Sequence, residues 1–311
     1  MKSPTVTVVV PAYQRLRYLQ EALRSAIGQT YADFELIVSD DGASDEIADY
    51  IASLGDPRLR YRRNQHNLGI AMNNLAAFSE ARGKYIASLH DDDIWEPGFL
   101  EALVPPLEAD DEISVAFCDH HVIDGEGRVL PEVEDWIMRT FRRDVLVPGR
   151  HQPFLKPAVV NLSIPMVMGA VFRKSILQDA EYPKRIGGSY DLWLAYLAVK
   201  NGQACYYVPR SLTRYRDHDE SGTSQRGIRN FQNAIYVRRR FFRDARLAPW
   251  RAEISHQLGM FYGKMALYYL SRRSWRRGGI LLRKAFSLMN RPKNKLALVI
   301  NAVWSVIKPK P

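Results

Sequence analysis

Along the first ninety residues the apolar positions switch between a continuous or two-residue pattern and a helical one, and the switches predict elements. Val6-Thr7-Val8-Val9-Val10 is a β-branched run, a strand that Pro11 is expected to close because proline offers no N–H to a ladder. Residues 19–27 repeat apolar side chains at helical spacing and stop at Gly28. Residues 34–38 form a second strand, after which Ser44 or Asp45 can cap a helix carrying Ile47, Ala48, Ile51 and Leu54. A short strand at 58–62, a helix at 70–81 closed by Gly83, and a strand at 85–89 follow. Strand and helix in alternation on short connections predict an open α/β sheet.

The pattern then loosens. A strand is expected at 111–118, and residues 124–165, rich in proline and glycine, read as connecting loops. Apolar character returns at 168–172, helical spacing at 190–200, and a short strand at 205–208 is expected to end at Pro209. Beyond Ile228 the chain reads as mainly helical.

Two strand ends are acidic: Asp40-Asp41-Gly42 after the second, and His90-Asp91-Asp92-Asp93 after the fourth. Each alone is explained by a solvated turn or a helix cap. Together they suggest one crevice at the edge of a parallel sheet. Carboxylates so crowded repel one another unless a hard divalent cation sits among them. Asp92 is the first candidate ligand and Asp91 the second, while Asp93 is expected to cap a helix starting near Glu96-Pro97. No glycine-rich phosphate loop follows the first strand, where Pro11-Ala12-Tyr13-Gln14-Arg15 stands instead, which argues against a dinucleotide oxidoreductase or a P-loop enzyme.

Composition narrows the setting. A chain of 311 residues with 46% hydrophobic content can bury a large core, as one domain or one domain with a helical addition. Cys118 and Cys205 lie in apolar surroundings and read as buried thiols in a reducing compartment. The first seven residues lack the basic flank and apolar run of a secretory leader. Net charge is +10, and its excess is concentrated: between Arg272 and Lys295 there are nine basic residues and no acid. The apolar stretch that follows, 296–307, is 12 residues long, short of the roughly 20 that span a bilayer but suited to lie in the headgroup region. An anionic membrane surface contacted through 272–311 and a solvated or partner-facing helical tail both accommodate this. Nucleic acid is not expected, because no base-stacking aromatic array, zinc-finger spacing or helix-turn-helix accompanies the charge.

Several segments in combination are more specific. Val9-Val10-Pro11-Ala12-Tyr13, the run from Gln29-Thr30 to Val38, Asp40-Asp41-Gly42, Asn67-Leu68-Gly69 with Asn74, and Gly83-Lys84-Tyr85-Ile86 ahead of Asp91-Asp92-Asp93 resemble the nucleotide-binding half of the GT-A glycosyltransferases of family 2. The resemblance covers about residues 5–220. It implies a GT-A, Rossmann-like, mixed but mainly parallel sheet flanked by helices, with a nucleotide-sugar-binding and catalytic domain at 1–225 and a helical, basic region at 226–311. It implies further that Pro11, Ala12 and Tyr13 line a base pocket and that Asp41 accepts a hydrogen bond from the base. A uracil or thymine N3–H suits that carboxylate, so a UDP-sugar is favoured and a dTDP-sugar comes second.

The family's Asp-x-Asp diphosphate motif falls with its first acid on His90 and its last on Asp92, so His90 is a departure. Gly187-Gly188-Ser189-Tyr190-Asp191 resembles the segment that supplies the general base. Ser189 stands where that acid usually falls, and Asp191 is the nearest carboxylate. His218 resembles a late histidine near metal and diphosphate, and Arg216 is a phosphate contact or a surface partner of Asp217 or Asp219. Asp91, Asp92 and His218 would then hold Mn²⁺ or Mg²⁺. Ser221, Thr223 and Ser224 suggest a lid, Trp193 a core residue or acceptor-pocket wall, and 124–165 a segment shaping the acceptor site.

The resulting expectation is a metal-dependent, inverting glycosyltransferase of polysaccharide or cell-envelope synthesis, cytoplasmic and peripheral on the inner face of the membrane, acting on a glycan or lipid-linked hydroxyl. A sugar-phosphate nucleotidyltransferase and a non-catalytic membrane scaffold with a degenerate fold are the alternatives.

Overall fold

The computed structural model describes residues 3–164, 167–178, 180–218 and 227–307. The chain divides into two compact units, one of Met1–Tyr182 with Tyr190–Ser224, the other of Pro183–Ser189 with Gln225–Pro311.

The first unit opens with β1 (Val6–Ala12), α1 (Leu16–Ile27), β2 (Phe34–Asp40), α2 (Glu46–Leu54), β3 (Leu59–Arg63), α3 (Ile70–Ser79) and β4 (Tyr85–Ser88). It continues through β5 (Ile94–Trp95), α4 (Phe99–Ala109), β6 (Ile113–Ile123), α5 (Pro131–Thr140), β7 (Gly149–His151), β8 (Ala170–Arg173), α6 (Lys174–Gln178), α7 (Tyr190–Val199) and β9 (Ala204–Arg216). One mixed sheet runs β3-β2-β1-β4-β8-β6-β9-β5, with β7 paired to β9. The pairs β1–β2, β1–β4, β2–β3 and β6–β9 are parallel, and β8 is antiparallel to both of its neighbours, β4 and β6. Two reversals restore direction, so β1, β2, β4, β6 and β9 all end at the same edge of the sheet. That edge is where an open α/β sheet forms its crevice.

The central strand β1 is buried on both faces, which accounts for its unbroken apolar run. The edge strand β3 is instead blunted by charge, Arg60 pairing with Glu35 at 3.1 Å and Arg62 with Glu80 at 2.8 Å. Several of the quoted segments owe their composition to hydrogen bonding. The Gln29 side chain donates to Glu96 O (2.8 Å) and accepts from Leu100 N (3.0 Å), while Thr30 N donates to Pro97 O (2.9 Å), tying the end of α1 to the chain beyond the acidic turn. From α3, Asn73 Nδ2 donates to Ser39 O (2.8 Å), and Asn74 Oδ1 accepts from Ser88 Oγ (2.8 Å), holding the ends of β2 and β4.

Four expectations are corrected. β1 runs through Pro11 to Ala12, in register with Ser39 and Asp40. Val9 O accepts from Leu89 N and Ala12 O from Asp41 N, so the alternation turns proline's donor-less nitrogen toward β4, beyond that strand's end at Ser88. β9 likewise runs past Pro209 to Arg216, because the register slips there: Val208 pairs with Cys118 and Ser211 with Asp119, leaving 209–210 as the bulge. The stretch 124–165 contains α5 and β7; Pro131 sits in the first turn of α5, where a missing N–H costs nothing. Asp93 does not cap α4, whose N-cap is Gly98. Cys118 and Cys205 are buried free thiols, and Trp193 is buried with its indole N–H donated to Glu181 O.

The second unit consists of α8 (Ile228–Arg243), α9 (Arg251–Ser271), α10 (Trp275–Leu288) and α11 (Pro292–Ile307), with the turn 187–189. Ile235, Leu258, Tyr262, Met265, Ala285, Met289 and Leu298 form its core.

Gly83 is required by close approach. A Cβ there would lie 2.5 Å from Thr7 N and 2.6 Å from Val6 C, both backbone atoms of the central strand. Gly83→Ala is therefore expected to destabilise the protein by about 1–3 kcal/mol, read by urea unfolding. A midpoint equal to that of the unaltered protein would contradict this packing.

Candidate active site

The two acidic turns meet at the end of β1. Ala12 O accepts from Asp41 N at 2.9 Å, and the next residue, Tyr13, donates its N–H to Asp91 Oδ2 at 3.1 Å. Asp41 and Asp91 thus flank one strand terminus, as neighbours of β1 on either side. Pro11 and Ala12 are buried there, and Tyr13 is exposed at the crevice. Asp41 Oδ1 accepts from Asn64 Nδ2 (2.9 Å) and Leu68 N (2.8 Å), and Oδ2 from Gly69 N (2.8 Å). Its carboxylate therefore shapes the loop leading into α3, which explains the chemistry of Asn67-Leu68-Gly69.

At the end of β4 the three aspartates face different partners. Arg15 forks across two of them, Nη2 on Asp91 Oδ1 and Nη1 on Asp92 Oδ2. His218 Nε2 lies 3.2 Å from the same Asp92 oxygen. Asp93 Oδ1 accepts from Arg216 N at 2.9 Å. Its Oδ2 is buried without a hydrogen-bond partner among the described residues, facing His90 Nδ1 at 3.3 Å. His90 Nε2 contacts the Tyr190 hydroxyl, and Asp191 Oδ1 accepts from Val167 N at 3.3 Å. The start of α7 is thereby brought to the acidic turn.

Burial and charge pull these groups apart in acidity. Burial, reinforced by the neighbouring Asp92 charge, pushes the Asp91 carboxyl up to about 6 despite Arg15. Burial acts on Asp92 in the same sense, but the His218 hydrogen bond and the Arg15 charge outweigh it and hold that group down at about 2. His90 is desolvated, which disfavours its charge, yet the Asp93 carboxylate 3.3 Å away and the charges of Asp191 and Asp92 raise it to about 9. Without ligands it is an imidazolium at neutral pH. Burial pushes Asp191 upward, offset in part by His90, which moves a carboxylate toward the range of a useful base.

Arg216, expected at a phosphate, is fully buried. Its guanidinium donates to Asp92 O (2.9 Å), Gly125 O (3.2 Å) and Glu21 Oε2 (2.6 Å) and lies over the Tyr18 ring at 4.7 Å. It fastens the acidic turn to the end of β9 instead of forming a surface pair. Ser221, Thr223 and Ser224, the expected lid, lie outside the described residues, as does Asp219.

His90, Asp92 and Asp93 present ligand atoms within 4.8 Å of one another. The unsatisfied Asp93 Oδ2 and the neighbouring Asp92 carboxylate suit a hard divalent cation, provided His90 gives up its proton to serve as a ligand. Of the three expected ligands, Asp92 is in this group, His218 touches Asp92, and Asp91 is turned to Tyr13 N and Arg15. Sequence reasoning missed Arg15, Asp93 and Tyr190 in the site. The third consecutive acid was the signal available for Asp93; nothing in the linear pattern separates Arg15 from a surface arginine.

A mixed, mainly parallel sheet with this acidic turn at its carboxyl edge defines a GT-A fold transferase that uses a nucleotide-sugar donor. Residues 7–177 match the family described as Glycosyl transferase family 2, and the chain belongs to it. It is a glycosyltransferase, which sets aside the nucleotidyltransferase and scaffold alternatives. An uncharacterized glycosyltransferase of Rickettsia typhi is 27% identical over 225 residues, 71% of this chain and 67% of that protein. A relative in Rickettsia felis is longer, so that the match spans 36% of it. Among solved structures, S. aureus TarS 1-349 in complex with UDP-GlcNAc aligns over 97% of this chain and 89% of its own with a TM-score of 0.67 at 13% identity. The mannosyltransferase PcManGT from Pyrobaculum calidifontis, in complex with GDP-Man and Mn2+, aligns over 99% and 82% with a TM-score of 0.59 at 18% identity.

The His90 position carries a pH dependence. A folded-state value near 9 against about 6.5 in the unfolded chain means that its stabilisation is full below 6.5 and is lost as pH rises through 9. Unfolding free energy of the metal-free protein is expected to fall over this window, and to fall less steeply in His90→Gln. Equal slopes for the two proteins would show that His90 is not charged in the fold.

Proposed function

We propose that the protein transfers a sugar from a UDP-sugar, with a dTDP-sugar second, to a hydroxyl of a glycan or lipid-linked acceptor, with inversion at the anomeric carbon. The observation that carries this reading is the gathering of Asp91, Asp92 and Asp93 with the start of α7, which bears Asp191, at the turn that follows β4. Pro11, Ala12 and Tyr13 line the base pocket. Asp41 receives the base N3–H on Oδ2, which has one accepted bond and a lone pair to spare. Relatives in fold are solved with UDP-GlcNAc (TarS) and with GDP-Man (PcManGT), so the uridine preference rests on the Asp41 contact to the base N3–H.

A divalent cation, Mn²⁺ or Mg²⁺, would be held by Asp92 with Asp93, His90 or His218 and Asp91 as the neighbouring donors, and would neutralise the diphosphate as it leaves. PcManGT, of the same fold, is solved in complex with GDP-Man and Mn2+. Asp191 takes the proton of the attacking hydroxyl. The backbone N–H of Val167 orients its carboxylate, and burial raises its basicity. Attack from the face opposite the leaving diphosphate inverts the centre in one displacement. Arg216 keeps the turn rigid by holding Asp92 O, and Arg15 supplies positive charge where phosphate oxygens arrive.

Residues 1–225 act as the catalytic domain, and the basic region 226–311 attaches the protein peripherally to the anionic cytoplasmic face of a membrane, where a lipid-linked acceptor is presented. The nine basic residues and no acid between Arg272 and Lys295 support this attachment.

Asp92→Asn is expected to reduce transfer by at least about a thousandfold while the protein still folds, read by circular dichroism; full activity would remove Asp92 from the cation site. Asp191→Asn is expected to lower kcat by about 10²–10⁴ with little change in donor Kd, measured by calorimetry, and an unchanged kcat would exclude it as the base. A panel of UDP-, dTDP- and GDP-sugars with Mn²⁺, followed by product analysis, tests the donor. Saturable binding of GDP-sugars alone would overturn the uridine assignment.

A further inference from the structure

The last helix, α11, presents its apolar side chains the wrong way round for a globular unit. Leu296, Val299 and Ile300 are 62%, 40% and 48% exposed. On the opposite face Leu298 is buried against α9, where a Cβ on Gly263 would lie 2.9 Å from Leu298 Cδ2. Asn294 Nδ2 approaches His256 Nε2 at 2.7 Å and Met260 Sδ at 3.5 Å.

At about 100° per residue, with Leu296 at zero, Val299 falls near −60° and Ile300 near +40°, an arc about 100° wide. Leu298 and Asn294 fall near 200° and 160°, on the far side. Lys293 and Lys295 lie near +60° and −100°, one on each flank of the apolar arc. A stripe of apolar side chains bordered by lysines matches the boundary between acyl chains and anionic headgroups, with the long cationic side chains reaching up to the phosphates.

We propose that α11 lies in the plane of an anionic bilayer with Leu296, Val299 and Ile300 in the acyl boundary, Lys293 and Lys295 at the headgroups, and Asn294 and Leu298 fastening the helix to α9. The inference rests on the membrane attachment proposed above and assigns it to one face. Charge selects the occupant. The chain from Arg272 to Lys295 holds nine basic residues and no acid, so an isologous pairing of this face with a second copy would oppose like charges. A lipid surface carrying net negative charge removes that repulsion. No described helix is long and apolar enough to cross a bilayer.

The test is co-sedimentation of the full chain with vesicles of phosphatidylcholine containing about one third phosphatidylglycerol, with light scattering on the same samples. The unaltered protein is expected to partition to these vesicles and to release in high salt. Combined Leu296→Ser, Val299→Ser and Ile300→Ser should weaken partitioning by at least about tenfold, with unchanged helicity and donor binding. A second variant, Lys293→Gln with Lys295→Gln, leaves the apolar arc whole and should weaken partitioning by about tenfold with a shallower salt dependence. If the unaltered protein binds and both variants bind equally well, this face is overturned while membrane attachment stands. If the unaltered protein does not bind, both fall. A dimer that the serine variant abolishes, without vesicle binding, would give the face to a second copy and overturn the proposal.

Discussion

Three consecutive aspartates leave β4 with their carboxylates largely withdrawn from water, and the surrounding structure is arranged around that concentration of negative charge. Nothing local to residues 90–93 can neutralise it except His90. The other partners come from far along the chain: the Arg15 guanidinium from the start of α1, the Arg216 backbone N–H from the end of β9, and the His218 ring just beyond. The turn is therefore stable only when β1, β4 and β9 finish at the same edge, which the antiparallel insertion of β8 between β4 and β6 ensures. Asp93 Oδ2 makes no hydrogen bond among the described residues and faces His90 Nδ1 at 3.3 Å.

The arrangement couples the end of β1 to the acidic turn. Asp91 accepts from the backbone of Tyr13 with one oxygen and from Arg15 with the other. Arg15 in turn occupies the Asp92 oxygen that a cation would seek, so cation entry and movement at the end of β1 are linked through one arginine. Buried ion pairs of this kind add little to net stability but fix geometry, because breaking one partner leaves an uncompensated charge.

The first four strands and three helices were readable because each obeys its own period and stops at glycine, aspartate or a change of polarity. The two acidic strand ends were readable as one crevice because parallel strands on short connections must finish together. Prolines misled where the tertiary setting removes their cost: Pro11 faces the side that β4 has vacated, Pro209 sits in a bulge, and Pro131 opens a helix. The partners of the acidic residues were not readable. Arg216 looks like any basic residue beside two acids until β9 is seen to extend as far as the turn, and Asp93 looks like a helix cap until α4 is found to begin at Phe99. Asp91 and Asp92 differ in role although they are adjacent, because successive side chains diverge and meet different neighbours.

The central claim is that the acidic turn, together with the end of β1, holds a cation against the diphosphate of the donor. Crystals grown with UDP and Mn²⁺, measured at the manganese absorption edge, test it directly. One strong anomalous peak is expected within coordination distance of an Asp92 carboxylate oxygen and of a phosphate oxygen, with Arg15 drawn off Asp92. A peak elsewhere in the molecule, or UDP bound at the end of β1 with Arg15 still on Asp92 and no manganese beside it, would contradict it.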